Sequence, residues 1–346
     1  ILNIFISKMA HSAVCEERYP PDSEECQYVQ ELEQKAEQGD ESAQFALGSW
    51  YAEGRYVKPD YKLAIKWLEK AGKQGSDFSY FILGYHYNYG ENFPLSRQKA
   101  LEWYRKAAEL GDSSTQEILG DAYMYGDGFP QNTQLALEWY RRAAAQGLAE
   151  AQDAIGVMFM QGEGVSQDYQ QALAWYRKAA RQGLPAAQTH LGIMSAFGRG
   201  VAQSDRQAIA WYRKAAKQDF AKAQYQLGVA YSTGRGVPEN SRNALKWYLK
   251  AAEQGFTPAQ LALGEIYAHG RQGVPKDNKQ AYIWYYMASI YTEKSKDDCS
   301  ALIAERNRLK GTLTPDQLSE TYAAFDLIRR KINQSKEAKK IARKKY

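Results

Sequence analysis

The side chains of this 346-residue sequence that could take part in chemistry are few and scattered. Four histidines stand at positions 11, 86, 190 and 269, with no H-E-x-x-H pair and no cysteine–histidine spacing that would close a tetrahedral zinc site. His86 reads as a variable surface residue. Glycine pairs such as G-R-G-V at 234–237 suggest a phosphate cradle, yet neither G-x-G-x-x-G nor G-x-x-x-x-G-K-[ST] occurs. A Ser-His-Asp grouping assembles in space and not in sequence, so spacing alone does not exclude one. No catalytic residue, metal ligand or cofactor is assigned, and the chain is read as no enzyme.

The glycines belong to a larger pattern. Gly48, Gly84, Gly120, Gly156, Gly192, Gly228 and Gly264 recur every 36 residues. Trp67, Trp103, Trp139, Trp175, Trp211 and Trp247 keep the same step, and Trp284 follows after one inserted residue. A feature copied seven times is architecture, and it points to one elongated array in place of two or three globular domains. Apolar residues at 44% and 26 tyrosines suffice for a continuous core.

The net charge is +5, but residues 329–346 hold nine Lys or Arg against one acid, which leaves about −3 for the rest. The array is therefore not a basic nucleic-acid binder by overall charge. The tail suits the C-terminal end of a last helix, where cations complement the helix dipole.

The unit from Ala223 to Gly255 shows why each copy is a helical hairpin. Ala223, Leu227 and Tyr231 share one helix face. Gly228 sits where a side chain would hold two helices apart. Gly234 ends the first helix as a left-handed cap, and Asn240 or Ser241 caps the second. Ala244, Trp247, Tyr248, Ala251 and Ala252 form the expected buried stripe, a Trp-Tyr ridge entering the small-residue groove of the next hairpin.

Five segments are expected: 1–22 a leader remnant or flexible segment, 23–40 a capping half-repeat, 41–291 seven repeats, 292–333 capping helices, and 334–346 a basic tail. Thr314, Pro315 and Gln317 form a capping-box start for the last helix. The opening "ILNIFISKMAHSAVC" resembles the end of a secretory signal, which favours a periplasmic or secreted protein over a cytoplasmic one. Cys15 and Cys26 are close enough to bridge in an oxidising compartment, and Cys299 stands apart. No apolar run reaches the ~20 residues that span a bilayer.

The motif "AQ..LG..Y..G.GV..D...A..WY.KAA.QG", over about 41 to 288, resembles the Sel-1-like repeat, a relative of the tetratricopeptide repeat; "LTPDQ" is similar to the closing helix of bacterial members. The resemblance implies an all-α, right-handed superhelical solenoid that serves as a protein-binding scaffold. Bacterial members are often exported and are associated with host interaction, envelope signalling, polysaccharide machinery and immunity against secreted lipase effectors. The chain lacks the paired cysteines of disulfide-stapled members, and its first two repeats are degenerate, with Tyr56 in place of a loop glycine.

Because repeated positions build the fold, function must lie in what varies. On the first helix of each unit, positions −3, +1, +4 and +5 from the shared glycine lie opposite the packing stripe. They hold Phe45, Phe81, Tyr85, Tyr89 and Tyr125, then Glu117, Asp121 and Asp153, and further along Phe197. The rings either anchor a partner or pack on the neighbouring first helix, and the carboxylates either meet a basic partner residue or are merely solvated. The residue after the first loop glycine is Glu91, Asp127 or Glu163 early and Arg199, Arg235 or Arg271 later, a charge gradient that would orient a dipolar partner.

The function expected is a non-catalytic scaffold for one protein partner, such as an immunity protein for a secreted effector. The alternatives are an exported host- or envelope-interaction factor and, from another class, an envelope hydrolase acting on peptidoglycan or a lactam.

Overall fold

A computed structural model describes residues 20, 23–90, 92–271, 273–292 and 300–344. The leader segment apart from Pro20 lies outside the described residues, as do Glu91 and Cys299. The described residues form two compact units, the first ending at Asp168 and the second starting at Tyr169.

The first unit opens with α1 (Glu24–Glu37). Three hairpins follow: α2 (Glu41–Glu53) with α3 (Tyr61–Lys73), α4 (Asp77–Tyr89) with α5 (Arg97–Leu110), and α6 (Ser113–Tyr125) with α7 (Thr133–Ala145); α8 (Ala149–Gln161) completes it. The second unit begins with α9 (Tyr169–Arg181). Its hairpins are α10 (Pro185–Phe197) with α11 (Asp205–Ala216), α12 (Ala221–Thr233) with α13 (Ser241–Ala252), and α14 (Thr257–His269) with α15 (Asn278–Thr292). Then come α16 (Ser300–Lys310) and α17 (Pro315–Lys344), which takes most of the basic tail into a helix. No helix among the described residues is long and apolar enough to cross a membrane.

Local chemistry sets the helix ends. Gly54, Gly90, Gly126, Gly162, Gly198 and Gly234 stop the first helices with φ between 65° and 78°, the left-handed conformation that costs glycine nothing. Asp60, Ser96, Asn132, Ser204 and Asn240 cap the second helices with side-chain oxygens that accept from free backbone N–H groups. The capping box at Thr314 forms: its Oγ accepts from Gln317 N (3.3 Å), and Gln317 Oε1 accepts from Thr314 N (3.0 Å). Tyr56, Asn92 and Asp219 occupy repeat positions of glycine and keep positive φ. Each has compensation: Tyr56 packs on Trp50, the Asn92 amide donates to Ala52 O, and Asp219 Oδ1 accepts from Gln224 and Gln254.

The core corrects the expected ridge. Tyr104, Tyr140, Tyr176, Tyr212, Tyr248 and Tyr285 are buried, but Trp103, Trp175, Trp211 and Trp247 are only half-buried. In the first six repeats the tryptophan lies beneath a cation three residues on, as with Lys106 over Trp103 (3.9 Å), Arg142 over Trp139 (4.6 Å), Lys178 over Trp175 (3.9 Å) and Lys214 over Trp211 (4.4 Å). The indole is amphipathic enough to wall the core on one side and hold an ammonium or guanidinium on the other. The tyrosine enters the glycine notch of its own hairpin, not the groove of the next. A Cβ on Gly120 would sit 2.4 Å from Tyr140 Cδ1, and one on Gly228 2.5 Å from Tyr248 Cδ1. A further correction concerns His86, which is buried and stacked on Phe93 at 5.0 Å; the ring fills a gap under the degenerate second loop.

Within each unit the glutamines of a hairpin bond to each other and to the end of the preceding hairpin; Gln44, Gln116, Gln188 and Gln224 are buried, and of their partners Gln74, Gln146 and Gln218 lie at the exposed rim. Gln74 donates to Gln44 Oε1 (2.8 Å) and Gly39 O (3.0 Å), and Gln146 donates to Gln116 Oε1 (3.0 Å) and Gly111 O (2.8 Å). Gln116 passes its own amide to Ala108 O. In the second unit Gln218 repeats this on Gln188 and Gly183, and Gln254 on Gln224. The pattern satisfies polar groups that the stacked helix ends would otherwise bury unpaired.

Candidate partner-binding surface

The exposed face of α4 is aromatic because four ring-bearing residues fall at helical spacing on it: Phe78, Phe81, Tyr85 and Tyr89. They form a ladder. Phe45 from α2 meets Phe78 at 5.6 Å, Phe78 stacks on Phe81 at 5.6 Å and 8°, Phe81 reaches Tyr85 at 6.5 Å, and Tyr85 meets Tyr89 at 4.6 Å. Phe45, Phe81 and Tyr85 are half-buried against neighbouring rings, whereas Tyr89 stays 47% and Phe78 54% exposed. Phe78 was missed from sequence because it lies six residues before Gly84, outside the positions counted.

Beside this ladder, α6 contributes Glu117, Asp121 and Tyr125. Tyr125 is 74% exposed. Its phenol is held above the ordinary range first by partial burial of the hydroxyl, then by the negative charges of Asp121, Glu163 and Glu117. All three carboxylates act on this phenol through their charge. Asp121 has a structural bond as well: Tyr140 Oη donates to its Oδ1 at 2.6 Å. Burial raises the Asp121 pKa, while the Tyr140 hydrogen bond and the Arg97 charge lower it, and burial prevails. Asp153, half-buried on α8, occupies the repeat position of Phe45, Phe81 and Glu117. Phe197 belongs to the second unit, 58% exposed, with the Arg199 and Arg235 guanidiniums 5.3 and 5.8 Å from its ring.

The loop charges are used inside the array. Asp127 pairs with Arg97 at 2.8 Å, and Arg235 with Asp205 at 2.9 Å, in each case thirty residues apart. Arg199 lies 6.0 Å over the Tyr169 ring. The two ion pairs answer a loop charge with a charge from the preceding hairpin. Among the described residues no cluster of His, Cys, Asp or Glu could hold a metal ion.

A near-neutral total hides a sharp division. Residues 23–168 carry 23 acidic and 13 basic side chains, net −10, whereas residues 169–252 carry 3 acidic and 13 basic, net +10. The aromatic ladder thus lies in an acidic unit, which favours cationic partners at long range.

The Sel1 repeat model matches residues 41–76, 78–112, 113–148, 149–184, 185–220, 221–256 and 257–289. A Sel1 repeat protein from Oxalobacter formigenes is 35% identical, with 82% of this chain and 79% of that one covered and a TM-score of 0.69. A protective antigen present in uropathogenic Escherichia coli strains, which displays an SLR fold, is 32% identical with a TM-score of 0.64. That match covers 89% of this chain but 64% of the antigen, so this chain spans under two thirds of its length. An immunity protein from Pseudomonas aeruginosa is 23% identical over 57% of this chain and 75% of that one, at a TM-score of 0.44, an overlap too loose to argue a shared role. No curated protein matches the chain.

Proposed function

Since the chain belongs to the Sel1 repeat family, we propose that it is a non-catalytic scaffold that holds a protein partner on the first-helix face of residues 23–168. The observation that carries this reading is the run Phe45–Phe78–Phe81–Tyr85–Tyr89 beside the carboxylates whose charges act on Tyr125. An apolar anchor would enter the ladder and a basic residue would meet Asp121, Glu117 and Glu163. The hydrolase reading is weaker, because the Asp121 carboxylate is bonded to a buried phenol and not to a nucleophile.

Between the two scaffold roles, the host- or envelope-facing one is supported by the likeness to the E. coli protective antigen, of which this chain spans 64%. The disulfide at buried Cys26 fits export, since such bonds persist in oxidising compartments.

Affinity capture from envelope and host fractions tests the scaffold, with wild type beside a Tyr125→Ala/Asp121→Asn variant. Both changes keep the hairpin, since Asn still accepts from Tyr140. Loss of a specific captured protein in the variant supports the reading. Capture that survives the variant, or hydrolysis of peptidoglycan lost with it, would overturn it.

A further inference from the structure

A second surface lies on the second unit. An open cleft of about 360 Å³ is lined by Arg177, Ala180 and Arg181 of α9, Gln188 of α10, and Trp211 and Lys214 of α11. Its floor is inert: Ala180 is buried, and the buried Gln188 amide donates to Gly183 O (3.3 Å) while its carbonyl accepts from Gln218 (3.1 Å). Recognition must come from the rim. Arg177 and Arg181, four residues apart, share one face of α9, and Lys214 stands across the cleft.

Some cations of the second unit are answered by carboxylates. Arg235 pairs with Asp205, Lys331 with Glu253, Lys279 with Glu320 and Arg308 with Glu305. Arg177, Arg181 and Lys214 pair with no carboxylate among the described residues, and the sequence from Tyr169 to Ser204 contains no acid at all. We propose that this cleft binds an acidic segment of a protein partner, with Arg177, Arg181 and Lys214 taking its carboxylates.

Guanidinium forks match carboxylates and phosphates alike in two-point geometry, so the choice of a peptide over nucleic acid rests on the rings. Single-stranded nucleic acid relies on open ring faces for stacking, and here Lys178, Lys214 and Lys250 lie 3.9, 4.4 and 5.0 Å over Trp175, Trp211 and Trp247. This face therefore presents cations and withholds its rings.

The test is fluorescence anisotropy on the full chain with a labelled peptide of alternating glutamate and glycine. Its glutamine counterpart and a single-stranded oligonucleotide run alongside, in low salt and at 150 mM. The glutamate peptide should bind, the glutamine peptide should not, and Arg177→Glu/Arg181→Glu should weaken binding by about tenfold or more. Tyr125→Ala should leave it unchanged, which separates this surface from the first. Because the substituted side chains are exposed, the thermal melt should hold; if the double variant fails to fold, Lys214→Glu alone serves. Equal binding by the variant would overturn the proposal. So would an oligonucleotide that displaces the peptide, or self-association of the chain that Arg177→Glu/Arg181→Glu abolishes, which would assign the cleft to a second copy of this chain.

Discussion

Tyr140 donates a 2.6 Å hydrogen bond to Asp121, so a core residue of α7 holds the carboxylate that faces the exposed ring of Tyr125. Burial drives the Tyr140 phenol far above its ordinary range, and the bond to Asp121 adds to the shift. The Tyr140 phenol therefore stays a neutral donor to Asp121.

Removing the hydroxyl tests this coupling. Tyr140→Phe leaves Asp121 half-buried without its donor, so it should destabilise the protein by about 1–3 kcal/mol at pH 7. The sign of the pH dependence follows from the raised Asp121 pKa: the folded state binds the proton more tightly than the unfolded one, so acidification favours folding at this site. The deficit of Tyr140→Phe relative to wild type should therefore shrink as pH falls through the folded Asp121 value. Urea titrations at several pH values, compared as differences, would show it.

Gly120→Ala should cost about 1–3 kcal/mol by overpacking, because the new methyl meets the fully buried Tyr140 ring at 2.4 Å. The double variant Gly120→Ala/Tyr140→Leu should recover part of that loss, since the obstructing ring is gone. Denaturation midpoints of the three variants test the pairing.

The two aromatic repeat positions should separate. Tyr176 is 1% exposed, whereas Trp175 is half-buried under Lys178. Tyr176→Ala should cost about 3–5 kcal/mol, and Trp175→Ala about 1–2 kcal/mol from partial burial and the cation contact. Paired thermal melts would rank them.

Glutamine positions give a fourth contrast. Gln116 is bonded at both ends of its amide, but Gln260, fully buried, leaves Oε1 without a partner because the seventh repeat lacks the closing glutamine. Gln116→Met should cost about 1–3 kcal/mol by stranding Gln146 and Ala108, and Gln260→Met clearly less. Chemical denaturation of each decides.

The hairpins were legible because each rule that builds them is local: Gly126 at a cap, Asn132 three residues before the N–H it satisfies, Gly120 notched for a ring. The glutamines were not, because Gln146 finds Gln116 thirty residues away, and nothing in a window of one helix shows the pair. The second repeat encodes the same relation in apolar form. Tyr80 and Leu110 replace both glutamines together, and Gly72 replaces an alanine where the Tyr80 ring would collide at 2.5 Å. His86 was misplaced for a similar reason, since the Phe93 that covers it comes from an irregular loop. For the candidate surface, residue types were readable, but the Asp121–Tyr140 bond and the place of Phe78 in the ladder depend on side-chain directions. The opposed charges of residues 23–168 and 169–252 were in plain view but cancelled in the total.

The glutamine chain has a consequence for how such a protein can change length. Each closing glutamine amide reaches one oxygen 30 residues back and another 35 back, so the loss or gain of a single residue between them would pull donor and acceptor out of step. The chain of amides skips the second hairpin, where Tyr80 and Leu110 stand, and ends at the seventh, which has one extra residue. Growth or shortening by whole units keeps every link in place, so duplication and excision of complete hairpins are the edits this molecule can absorb.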